Sequence, residues 1–220
     1  MAALTLIIGN KNYSSWSLRP WLLLKQAGIP FREHYVPVRG EVWQSQILSL
    51  SPSGKVPALH DGALRIWDSL AICEYLAERF PEKQLWPADP AARAEARSVS
   101  AEMHSGFLGL RQNMFMNVRR RMPNRGRAPE AMQDLERITA IWADCRERYR
   151  KDGPFLFGRF SIADAMYAPI PLRLQTYGVA ISGVAADYAH TLLALPAMQE
   201  WVAGAHAETE RLAHYEPAEA

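Results

Sequence analysis

The first eighty residues alternate short apolar runs with periodic stretches, and the pattern assigns them in order. Leu4-Thr5-Leu6-Ile7-Ile8 reads as a strand, and the hydroxyl-rich turn Tyr13-Ser14-Ser15-Trp16-Ser17 leads into an amphipathic helix over 18–27 that closes at Ala27-Gly28. A strand over about 31–36 follows, then a turn or helix at 41–49, a hairpin over 57–66 and a helix over 69–80. Asp61-Gly62 is the hairpin signal, a pair favoured in type I′ turns. Two strands joined through a helix run parallel with a right-handed crossover, whereas a hairpin adds an antiparallel pair. The prediction is a four-stranded mixed sheet.

Beyond residue 80 the strand-like pattern stops. Pro81, Pro87 and Pro90 mark a short semi-rigid linker over 81–90. Apolar spacing then predicts helices over 91–121, 129–150 and 161–176, with two more at 184–194 and 196–212. Ser161-Ile162-Ala163-Asp164 opens the third as a capping box with Asp in place of Glu. The chain therefore divides into an α/β domain over 1–80 and an all-helical domain over 91–220.

Composition changes this picture little. At 220 residues and 49% hydrophobic, the chain is long enough to bury roughly 70% of its unfolded surface. A net charge of +2 is far from the basic clustering of a nucleic-acid-binding surface. The one dense cationic run, Arg119 to Arg127, is broken by Pro123 and Gly126 and carries no interleaved aromatics, which reads as a solvated inter-helix loop. Met1-Ala2-Ala3 has neither a basic leader nor a cleavage pattern, and the apolar run after it falls far short of the ~20 residues of a membrane span. A cytoplasmic protein with no membrane or nucleic-acid partner is expected. Cys73 and Cys145 sit in helix-like stretches as core thiols, and the histidines have no ligand spacing, so no metal site is expected.

Candidate chemistry concentrates in the first domain. Serines just before a helix put hydroxyl donors beside the positive end of its dipole, where an anion such as a thiolate is favoured. Ser17 reads as the cap, with Pro20 in the first turn, which leaves Ser14 and Ser15 over. Asp68-Ser69 at the start of the next helix reads locally as a cap as well; its first-turn N–H groups equally make a carboxylate pocket. In the second domain, Met103, Phe107, Arg111 and Phe115 recur every four residues and would share one helix face. Arg111 is the odd member, since a buried guanidinium needs a partner: an anionic substrate, or a carboxylate such as Glu102 or Asp164.

Three motifs in this order resemble the glutathione S-transferase family. Ser14-Ser15-Trp16-Ser17-Leu18-Arg19 is similar to the S-S-x-S-x-R signature of serine-type, zeta-like members. Ser53-Gly54-Lys55-Val56-Pro57 resembles the loop that ends in the family's cis-proline, and Asp68-Ser69 the acidic-Ser pair opening the third helix. The resemblance covers the whole chain and implies a thioredoxin-like N-terminal domain followed by a helical bundle. It implies glutathione as co-substrate, with Ser14, and Ser15 as understudy, stabilising the thiolate. The tripeptide would meet Val56 and Pro57 along its backbone, Asp68 and Ser69 at its γ-glutamyl end, and Lys55 at a carboxylate.

By the same resemblance the reaction is thiolate attack on a small, mostly apolar electrophile, bound by Trp16, Met103, Phe107, Arg111, Phe115, Arg173 and Tyr177. A maleylacetoacetate-type isomerase and a non-catalytic glutathione-binding module are the alternatives. Two departures weigh against the isomerase: Trp16 stands where that class has Cys, and its substrate-carboxylate arginine aligns near Thr176, about a turn beyond Arg173. The resemblance further implies a homodimer, in which Glu102 could approach the neighbouring subunit's ligand or instead pair with Arg97 or Arg93.

Overall fold

The computed structural model describes residues 4–38 and 41–216, so the leader reading at Met1-Ala2-Ala3 lies outside the described residues. The chain opens with β1 (Leu4–Ile8), α1 (Ser15–Gln26), β2 (Phe31–Tyr35) and α2 (Glu41–Leu50). It continues with β3 (Ala58–Asp61), β4 (Leu64–Trp67) and α3 (Ser69–Arg79). The sheet runs β2-β1-β3-β4, with β1 and β2 parallel and the other pairs antiparallel, which is the predicted mixed sheet in a thioredoxin-like order. The turn differs from its prediction. Asp61 pairs with Leu64, so the central residues are Gly62-Ala63; only Gly62 has positive φ (+58°), which fits a type II′ turn and excludes type I′.

Alternation along β1 sends Leu4, Leu6 and Ile8 into the main core. Ile7 joins Val36 and Ala58 in a small second cluster, with Trp43, Leu50 and Val56 packed on it. α1 is not the amphipathic surface helix the sequence predicts. It starts three residues earlier and is buried from Ser17 to Leu24, because α3 and the helical domain both pack on it. Pro20 consequently lies inside the helix, where its missing N–H leaves the Trp16 carbonyl without its helical donor.

The second part comprises α4 (Pro90–Ser105), α5 (Leu108–Asn113), α6 (Pro129–Tyr149), α7 (Ile162–Tyr167), α8 (Pro169–Tyr177), α9 (Gly183–Ala194) and α10 (Pro196–Ala207). The single helix predicted over 91–121 is broken. Gly106 is extended and so close to the Glu102 carbonyl that a Cβ would come within 2.8 Å of it, and Phe107 adopts positive φ (+61°). Arg111 seals the break by donating to the carbonyls of Gly106 (2.9 Å) and Met103. The helix predicted over 161–176 divides at Ala168, since Pro169 and Pro171 remove two N–H donors from the ladder. The helix predicted to run to 212 ends at Ala207.

The stretch 81–89 is packed rather than a spacer. Leu85 and Trp86 are buried, Trp86 Nε1 donates to Glu74, and Ile162 N donates to the Leu85 carbonyl. One apolar cluster runs from β1 and α1 through α4 and α6 to α10, so both parts share a core. The capping box at Ser161 is present, with Asp164 accepting from Ser161 N at 2.8 Å.

Candidate functional site

The site forms where β1 ends and α1 begins, at the carboxyl edge of the parallel strands. Gly9 follows β1, and a Cβ there would meet Val38 at 2.4 Å and Val56 at 3.1 Å, so only glycine lets these side chains close beneath the loop. The helix cap is Ser14, not Ser17. Ser14 Oγ accepts from Ser17 N (3.3 Å) and donates to Ser17 Oγ (2.8 Å), while Ser17 Oγ accepts from Gly9 N (3.2 Å). Ser17 is therefore consumed in the interior, and Ser14 is the half-exposed hydroxyl on the cleft. Ser15 is buried, its Oγ accepting from Arg173 Nη2 at 3.1 Å.

Across the cleft, the Val56–Pro57 bond is cis and delivers the chain into β3. Lys55 and Val56 line both compartments of the cleft. One compartment, about 460 Å³, is bounded by Pro57, Trp67, Asp68, Ser69, Trp16 and His104. Asp68 caps α3 from positive φ (+75°), its Oδ1 accepting from Leu70 N (2.9 Å) and Ala71 N (3.3 Å). Its other oxygen meets His104 Nε2 at 3.1 Å. Ser69 is 1% exposed, and its Oγ is buried with no hydrogen-bond partner. With the first-turn N–H groups of α3, this hydroxyl forms a cluster of donors of the kind that favours an anion.

The second compartment, about 330 Å³, lies under Ser14 and Ser15 and is walled by Tyr13, Trp16, Phe115 and Tyr215 with Arg111 and Arg173. Trp16 carries two stacked guanidiniums, Arg19 at 4.3 Å and Arg111 at 4.6 Å from the ring centroid, and meets His104 edge-on. Burial, then repulsion from Arg111 and Arg173, lowers the affinity of Arg19 for its proton. Burial and then Arg111 bring Arg173 down to about 10, and burial likewise lowers Arg111 despite Asp134 nearby. Burial lowers the affinity of His104 for its proton and outweighs the opposing pull of Asp68.

The predicted electrophile residues do not all meet. Trp16, Arg111, Phe115 and Arg173 line this cavity. Met103, Phe107 and Tyr177 are buried in the core instead, and the break at Gly106 destroys the four-residue stripe that would have aligned the first two with Arg111 and Phe115. Arg111 pairs with neither Glu102 nor Asp164. Glu102 is held in a two-pronged pair by Arg137 of α6 (2.7 and 3.0 Å) rather than by Arg93 or Arg97. Thr176 is buried and donates to the carbonyls of Asn117 and Leu172.

Sequence reasoning missed several contributors. His104 stood beside the noted Met103 without a ligand-like spacing to mark it. Tyr215 comes from the tail after α10, where no periodicity pointed inward. The cationic loop that reads as solvated is what fastens that tail: Arg119 donates to the carbonyls of Glu208 and Glu210, and Arg120 pairs with Glu216 (2.7 Å). Tyr13 also donates to Glu216 (2.5 Å) and stacks on Tyr215.

A thioredoxin-like sheet, a serine capping the first helix and a buried serine at the start of the third form an α/β part packed on a helical one. The family model for the glutathione S-transferase N-terminal domain matches residues 13–79. Maleylacetoacetate isomerase of Pseudomonas aeruginosa is 36% identical over 179 residues, 78% of this chain and 81% of that protein. A stringent starvation protein A homolog of Pasteurella multocida is 30% identical over 169 residues, 74% of this chain and 71% of that protein. Among solved structures, a glutathione transferase homolog from Burkholderia, described with bound glutathione, aligns with a TM-score of 0.71 at 24% identity, covering 94% of this chain and all of that one. The chain belongs to the glutathione S-transferase family, as a zeta-like member.

Proposed function

We propose that the protein binds glutathione in the Asp68–Ser69 compartment and transfers its thiolate to an electrophile seated under Ser14. The observation that carries this reading is Ser69, whose buried Oγ has no partner and stands with the α3 N-terminus where a γ-glutamyl carboxylate would complete it. Asp68, held by His104, is the acceptor for the ammonium. The Val56 main chain pairs with the cysteinyl residue, and Lys55 meets the glycyl carboxylate.

Ser14 then faces the sulfur. Its proton now rests on Ser17 and would turn to the thiolate, while its oxygen keeps the Ser17 N–H. Lowering a thiol pKa from ~8.5 to ~6.5 raises the thiolate fraction at neutral pH roughly 25-fold. Weaker basicity costs about eightfold in nucleophilicity if a slope of about 0.4–0.5 applies, so the net gain is near threefold. Positioning of the electrophile supplies the rest.

The test is Ser69→Ala. Its hydroxyl serves no contact within the protein, so the variant should melt with the wild type while binding glutathione about tenfold more weakly by calorimetry. Equal affinity would overturn the placement of the tripeptide. Maleylacetoacetate-type isomerisation is a second reading, favoured by the 36% identical isomerase. It uses the same thiolate, added to and then expelled from a conjugated double bond, and a cis–trans assay with catalytic glutathione tests it.

A further inference from the structure

Ser14 stands at the end of a tight turn. Ser14 N and Tyr13 N both donate to the Asn10 carbonyl (2.8 and 3.1 Å), which leaves the N–H groups of Lys11 and Asn12 to find acceptors outside the turn. Both find the same side chain. Glu208, in the tail after α10, accepts from Lys11 N through Oε1 (2.5 Å) and from Asn12 N through Oε2 (3.0 Å). Two successive main-chain donors converging on one point make a small anion site, and here the chain fills it with its own carboxylate. Bonds of this charge-assisted kind are roughly twice as strong as neutral ones.

The rest of the turn is tied to the helical part. Asn10 and Asn12 are fully buried, Asn12 bonding Asn117 and Arg119 N, while the Lys11 carbonyl accepts from Trp201 Nε1 (3.0 Å). Among the described residues, the hydrogen bonds of Ser14 run to Asn10, Ser17 and Leu18. Its placement is therefore inherited from α1 on one side and from this turn on the other. The tail that supplies Glu208 also carries Leu212 and Tyr215 into the wall of the cavity under Ser14.

We propose that Glu208 is a positioning residue for the thiolate: by closing the Lys11 and Asn12 donors it fixes the turn that presents the Ser14 hydroxyl to the sulfur. This rests on the transferase reading and adds a residue to it. A hydroxyl–thiolate hydrogen bond is directional and weakens steeply when misaligned. A small displacement of the turn would thus cost thiolate stabilisation without loosening the tripeptide, which on that reading is held at Val56, Asp68 and Ser69.

The test titrates the thiol of bound glutathione by ultraviolet thiolate absorbance. Glu208→Ala is expected to raise that pKa by about one, which is about tenfold less thiolate at about pH 5.5. Calorimetric affinity for glutathione at the same pH should stay within about twofold. Glu208→Gln keeps one acceptor oxygen but turns an amide toward the second donor, so it should raise the pKa less; it carries the test if the Ala variant does not fold. A merely structural bond would lower the melting temperature and leave the thiol where it was. A wild-type protein that lowers the thiol pKa while both variants titrate with it overturns the role of Glu208 and leaves the transferase reading standing. An affinity that falls about tenfold or more in both variants overturns it as well, because the tail would then hold the tripeptide and not Ser14. A wild type that fails to bind glutathione, or binds it with the thiol at its solution value, overturns the transferase reading and the role of Glu208 with it.

Discussion

Ser14 and Ser15 are adjacent, both hydroxylated, and in different situations. Ser14 caps α1 and faces the cleft; Ser15 is buried and holds Arg173. Ser14→Ala should therefore raise the pKa of bound glutathione by about two units, seen in thiolate ultraviolet absorbance, and slow conjugation more at pH 6.5 than at pH 8.5. Glutathione affinity should stay within a few fold, because the tripeptide is held elsewhere. An unchanged thiol titration would remove Ser14 from that role. The motif makes Ser14, Val56, Pro57, Asp68 and Ser69 legible as neighbours on one cleft because their positions are set locally, at helix starts and a strand entry. The capping role was misread because it depends on where Gly9 donates, which no spacing reveals. Arg19, Arg111 and Arg173 come together only across the tertiary fold, and a composition of near-balanced charge gives no sign of it.

Among the elements, periodicity located helices well and their interruptions badly. From Met103 to Phe115 only Gly106 and Gly109 speak against one continuous helix, and a glycine costs a helix only about 1 kcal/mol. The capping box at α7 was legible because it is a four-residue device. Its extent was not: Asp164 also accepts from Leu156 N (3.0 Å) and Tyr188 Oη (2.9 Å), tying three segments together.

Burial lifts Asp164 to about 6, against the hydrogen bonds that favour its charge. A carboxyl raised in the folded state makes the native chain take up a proton that the unfolded chain lacks. Its contribution to stability therefore grows as pH falls from about 6 towards 4 and is lost above 6. Asp164→Ala, which strands buried donors, should cost on the order of 3 kcal/mol in denaturant unfolding at pH 7, with a larger cost at pH 5. A loss under about 1 kcal/mol would show the box to be dispensable.

Over the whole molecule, the shared core predicts that the thioredoxin-like part does not unfold separately from the helical part. Leu64 and Trp67 leave about half their surface open along the edge strand β4 (49% and 46% exposed), apolar area that a second copy could cover. We propose a homodimer, and sedimentation at micromolar concentration should find two 24.8 kDa chains together. A monomer throughout would reject it. No helix of the described residues is long and apolar enough to cross a membrane.

The two halves of the cleft are made of different material. The half proposed for glutathione combines the Val56 main chain and the first-turn N–H groups of α3 with the side chains of Lys55, Asp68 and Ser69. The other half is made of side chains from a helix break, a loop and a tail: Arg111, Phe115 and Tyr215. Substitutions scattered over the cleft would thus alter the second half more readily than the first, where main-chain groups make part of the lining. On the proposed function, a lineage of this protein would change the compound it attacks before it loses the tripeptide it attacks with.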